Sequence, residues 1–102
     1  MVYPSSRESA VQFLLKVDPQ NLSVTIGSKS YGVTYDVAWF FFMLREAGGE
    51  WVSGTSMKQR MQAQGVTNYR ADRVCRDLEE PLKRVVDSGT FGYRFLPSAV
   101  EW

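Results

Sequence analysis

The chain has 102 residues, 44% of them apolar and 14% aromatic, with 12 basic against 11 acidic side chains and a net charge of +1. This is the size of one domain with a single core, and its composition is that of a globular rather than a disordered chain. It has no histidine and one cysteine, Cys75, which excludes a Ser-His-Asp or Cys-His catalytic site, a Cys/His zinc site and an internal disulfide.

Ser5 to Lys16 reads as a short amphipathic helix, with Ser5 and Glu8 at capping-box spacing and Ala10, Val11, Leu14 and Leu15 as its apolar stripe. Such a helix covers a core edge or makes a dimer contact, and Asp18-Pro19-Gln20-Asn21 breaks it. Leu22 to Ile26 alternates apolar and hydroxyl residues as a half-buried strand does, Gly27-Ser28 turns the chain, and Lys29 to Val33 returns as its partner. Thr34 is a good N-cap for a helix running to about Ala47, with Asp36 in the favoured first turn and Gly48-Gly49 as the stop. Val37, Phe40, Phe41 and Leu44 share one face of it and form the centre of the core, and Trp39, Phe42 and Met43 widen its apolar surface. The longest apolar run, Val37 to Leu44, is under half the roughly 18 residues of a membrane span. The N-terminus lacks the order of a signal peptide, so a cytoplasmic location is expected.

Glu50-Trp51-Val52 reads as a short strand, and Ser53 caps the next helix. Met57, Met61 and Ala63 point inward from it and Lys58, Arg60 and Gln62 outward, and Gly65 ends it. Val66-Thr67-Asn68 is a turn. A third helix then begins near Tyr69, its inward face spaced as Ala71, Val74, Cys75, Leu78 and Leu82. Cys75 lies in that stripe, as a buried, unreactive thiol does. Pro81 ends or kinks the helix. Val85-Val86, a turn at Asp87-Ser88-Gly89-Thr90 and Phe91 to Leu96 complete a hairpin, and Pro97 to Trp102 is a tail. From Ser56 to Arg76 five basic residues face one acidic residue, a local basic excess on a near-neutral chain.

The fold class this predicts is α+β: a winged helix-turn-helix with a three-helix core, N-terminal strands, a C-terminal hairpin wing and a short N-terminal helix. Residues 1–20 form the helix and linker, 21–97 the winged-helix domain and 98–102 the tail. Helix, turn, basic helix and hairpin in that order place one helix in a DNA groove.

The pattern from Leu22 to Leu96 resembles the winged-helix effector domain of OmpR/PhoB-type transcription regulators. Gly49-Glu50-Trp51-Val52-Ser53 is similar to the entry of that family's positioning helix. Ala71, Cys75, Leu78 and Leu82 match the apolar spacing of its recognition helix, and Gly92-Tyr93-Arg94-Phe95 its closing motif. Where that family carries basic residues, this chain has Glu79-Glu80-Pro81, and 102 residues hold no receiver domain. The resemblance implies a DNA-binding transcription regulator without a cofactor. Tyr69, Arg70, Arg73, Arg76 and Asp77 would face the major groove; Ser53, Thr55, Lys58 and Arg60 would hold phosphates; Thr90 and Arg94 would touch the backbone or minor groove from the wing. The expected partner is double-stranded DNA, with a homodimer or a protein partner as further options and no membrane. The alternative is a protein-interaction module on the same scaffold, which the near-neutral charge, Glu79-Glu80 and the abundant aromatics favour. An enzyme is not expected.

Overall fold

A computed structural model describes residues 13–96 and 100–101. The described residues begin with three strands, β1 (Phe13–Asp18), β2 (Ser23–Ile26) and β3 (Lys29–Gly32), joined as antiparallel neighbours. Helices α1 (Tyr35–Glu46), α2 (Gly54–Ala63) and α3 (Ala71–Arg76) follow, then a 3₁₀ turn over Leu82–Val85. Strands β4 (Val86–Gly89) and β5 (Gly92–Phe95) form a separate hairpin, and β6 (Val100–Glu101) returns to pair in parallel with β1. The larger sheet has the order β3-β2-β1-β6. The molecule is a small α+β fold. Among the described residues no helix is long and apolar enough to cross a membrane.

Strand β1 corrects the helix expected over Ser5 to Lys16: Phe13 to Lys16 are extended, and residues 5–12 lie outside the described residues. Leu15 and Val17 satisfy a period of two as well as Leu14-Leu15 satisfies a helical stripe. The pairing of Leu15 with Ile26 and Val17 with Val24 decides between them. The Asp18–Asn21 break is a turn held by the Asp18 carboxylate. It accepts from the Gln20 and Asn21 amides at 3.2 Å each and from the Asn21 side chain at 2.7 Å. Residues 100–101 belong to the sheet rather than to a free tail, so the sheet draws on chain from both sides of the expected 21–97 span.

Helix α1 is the centre of the molecule. Thr34 Oγ1 caps it by accepting the Val37 amide at 3.3 Å. Phe40, Phe41 and Leu44 are fully buried with Ala38 and Met43, and Val37 is half-buried. Each fully buried phenylalanine, leucine or methionine side chain taken from water contributes about 1.5–3 kcal/mol. One side of α1 lies on β1 and β2, the other on α3 and β5. The Gly92-Tyr93-Arg94-Phe95 motif is therefore a packing device. Tyr93 meets Phe40 and Phe95 meets Phe41, both with ring centroids 5.4 Å apart, while Arg94 points to the opposite face, as strand alternation requires.

Three local expectations shift. Helix α3 stops at Arg76 instead of continuing to Leu82, because Pro81 lacks the amide that would bond the Asp77 carbonyl, and proline disfavours helical backbone at Glu80. Leu78 and Leu82 remain buried, but from a loop and the 3₁₀ turn. Ala63 at the end of α2 is exposed, leaving Met57 and Met61 as its buried pair. The hairpin turn is Thr90-Phe91, two residues on from its expected centre, since Gly89 pairs with Gly92. The strand expected at Glu50-Trp51-Val52 is one bridge, with Val52 and Tyr93 exchanging both backbone hydrogen bonds at 2.8 and 2.9 Å.

Candidate nucleic-acid interface

Three elements converge around the start of α3. Ser53 Oγ caps α2, accepting the Ser56 amide at 3.0 Å and donating to Ser56 Oγ at 3.1 Å. The Val52–Tyr93 bridge holds the hairpin against that helix entrance, and α2 packs on α3. Two clefts open between these elements. One lies between the first turn of α2 and the start of α3, lined by Thr55, Lys58, Arg70 and Asp72 among others. The second lies between α3 and the hairpin, lined by Asp72, Cys75, Arg76, Lys83 and Ser88. Asp72 and Tyr93 line both, so the clefts form one trough. Among the described residues its lining carries four cations, Lys58, Arg70, Arg76 and Lys83, and a single carboxylate, Asp72.

The expected contact residues separate on this geometry. Lys58, Thr55, Arg70 and Arg76 lie on the trough, while Arg73 is exposed on α3 and lines neither cleft. Among the described residues Lys58 and Arg73 have no acidic partner. Arg70 forks onto Asp72 through Nε and Nη2 at 3.1 and 3.0 Å, and this guanidinium holds the Asp72 carboxyl down at about 2. Arg76 Nε lies 3.6 Å from Asp77, an exposed pair of small energetic weight.

Five of the expected residues are engaged elsewhere. Tyr69 is buried, 4% exposed, and donates its hydroxyl to the Asp36 carbonyl at 2.8 Å, so its polar tip is committed to the core although the residue borders the first cleft. Asp77 lines a different cleft with Leu22 and Leu82. Ser53 spends its hydroxyl on the helix cap. Arg60 is drawn to Glu46 at the end of α1, with Nη1–Oε1 at 2.6 Å. Arg94 lies on the outer hairpin face, 3.2 Å from Asp87 and 4.4 Å above the Trp51 ring. Thr90 is exposed at the hairpin turn.

Lys83 and Tyr93 complete the trough without having been singled out as contact residues. Lys83 stands on the 3₁₀ turn and donates to the Arg76 carbonyl at 3.4 Å. Its only sequence signal is a basic pair, Lys83-Arg84, after Pro81. Cys75 is half-buried, and burial pushes its thiol pKa up, so it stays protonated and unreactive at neutral pH. Among the described residues no group of three or more Cys, Asp or Glu side chains is placed to hold a metal ion.

Burial, and secondarily the Asp36 charge, pushes the Tyr69 phenol above its ordinary value. The folded pKa is raised, so this contribution to stability is complete below the unfolded value of about 10 and is lost as pH rises through the folded value. Unfolding free energy from urea titrations is expected to fall above pH about 10. Tyr69→Phe should cost about 1 kcal/mol at neutral pH by losing the hydrogen bond, yet show a shallower alkaline decline. Parallel declines in both proteins would refute the assignment.

Searches of protein-family models, curated proteins and solved structures found no match to this chain.

Proposed function

We propose that this chain is a winged helix-turn-helix module that binds double-stranded DNA as a transcription regulator. In this reading α2 positions the module, α3 presents Arg73 and Arg76 to the major groove, and the β4–β5 hairpin is the wing. The observation that carries it is the trough, where four cations from α2, the start and end of α3 and the 3₁₀ turn converge around one carboxylate. Phosphates suit such a surface because each cation that displaces a condensed counterion adds affinity at low salt. The Arg70–Asp72 fork tempers the field, leaving Lys58, Arg73, Arg76 and Lys83 to approach the duplex.

Fluorescence anisotropy of a labelled random-sequence duplex, titrated with the chain over a series of salt concentrations, tests this. Four phosphate contacts give a slope of log affinity against log salt of about −3.6. Absence of binding at low salt, or affinity indifferent to salt, overturns the reading. The second reading, a protein-interaction module, is favoured by the carboxylate-rimmed apolar groove that lies apart from the trough.

A further inference from the structure

We propose that this groove docks a protein segment that carries lysine or arginine beside large apolar side chains. Its floor begins on the outer face of α1. Tyr35, Trp39 and Phe42 stand one above another at helical spacing, with Tyr35–Trp39 ring centroids 6.3 Å apart and Trp39–Phe42 5.0 Å apart. Tyr35 is 42% exposed and the other two are half-buried. With the turn after β1 they wall one cleft, and Leu22 continues it into a second that runs past the end of β3 to the loop after α3.

Leu22 joins the two clefts from an uncommon backbone. Its φ is 52°, a region a leucine enters at a cost, and its carbonyl is tied down by the Val33 amide at 2.9 Å. An apolar side chain is thus held at the junction, and a row of partly exposed aromatic side chains leads to it. Contiguous apolar surface of this kind marks an interaction site more often than isolated exposed side chains do.

Charge selects the occupant. Asp18, Asp77 and Glu79 line the groove, and among the described residues no lysine or arginine lines either cleft. Asp77 is shared with Arg76, whereas Glu79 has no cationic partner among the described residues. Nucleic acid is repelled here, and a neutral apolar ligand leaves the Glu79 carboxylate unused, since Asp18 is held by its turn and Asp77 by Arg76. A segment with cationic heads on apolar stems, next to an aromatic or leucine anchor, meets both demands. This proposal does not rest on the DNA reading, since it concerns other residues and a ligand of opposite charge.

Selection of displayed random twelve-residue peptides on the full chain tests it, with each enriched peptide then synthesised and titrated into the ¹⁵N-labelled protein. The expected result is enrichment of sequences that pair Lys or Arg with Trp, Phe or Leu, with shifts centred on Leu22, Trp39 and Glu79. Glu79→Lys, an exposed change that leaves the apolar floor intact, should weaken such peptides about tenfold, and Trp39→Ala should abolish binding. No enrichment, acidic or uncharged consensus sequences, or shifts confined to the basic trough overturn the proposal. Enrichment of sequences like the chain's own residues 1–12, or concentration-dependent shifts at the same residues without peptide, assign the groove to that segment or to a second copy and overturn it equally.

Discussion

Replacing Gly92 with alanine is expected to destabilise the fold by about 3 kcal/mol or more, a large share of what a domain this small possesses. Gly92 has a φ of 123°, which L side chains rarely adopt. A Cβ built there would lie 2.2 Å from the Val52 carbonyl oxygen and 2.8 Å from Ser53 Cα. None of these atoms is free to retreat, since Val52 is bonded to Tyr93 from both its amide and its carbonyl and Ser53 is the cap of α2. The hairpin must therefore separate from the helix entrance or the substitution fails to fold. Gly65→Ala is the control: φ there is 88° but nothing lies within 4 Å of the added carbon, so only backbone cost remains, about 1 kcal/mol. Urea unfolding followed by tryptophan fluorescence, to which Trp51 beside the hairpin contributes, measures both. Equal losses in the two variants would remove the steric explanation.

The second large effect concerns the trough. Lys58→Ala combined with Lys83→Ala is expected to lower affinity for duplex DNA roughly a hundredfold at 0.1 M salt and to make the salt slope shallower by about 2. The two lysines approach from α2 and from the 3₁₀ turn, at opposite ends of the continuous surface, so their losses should add. Arg60→Ala, equally basic in the sequence but drawn to Glu46, should change affinity little. If all three removals weaken binding alike, the surface is a diffuse cationic face and the trough has no special standing.

Much of the local architecture was legible in the residues. Thr34 and Ser53 cap the helices they were expected to cap, because a hydroxyl ahead of an apolar repeat satisfies an amide the helix leaves open. The apolar face of α1 and the Gly27-Ser28 turn follow equally directly from period and turn chemistry. What was misread depends on partners distant in sequence. Phe13 to Lys16 fits two periods, and only pairing chooses the strand, with β2 from Leu15 on and with β6 at Phe13 and Leu14. Residues 100–101 carry too short a pattern to announce a strand that β1 supplies with its neighbour. Tyr69 has a polar tip, yet its ring is buried because the Asp36 carbonyl receives the hydroxyl. The candidate site was read as a set of positions on two helices. It depends as much on Lys83, delivered by an irregular stretch after Pro81 whose path periodicity does not encode.

The paired backbone bonds between Val52 and Tyr93 bear on the thermodynamics of whatever occupies the trough. They fix the spacing between its two walls before a ligand arrives, so association orders little main chain. The entropic penalty falls instead on long side chains at the rim, Lys58, Arg76 and Lys83, at about 0.5–1.5 kcal/mol for each one immobilised. Binding should then proceed with a small heat-capacity change and nearly unchanged backbone order parameters. Differences in affinity between ligands should reside in how many of those cations each one captures.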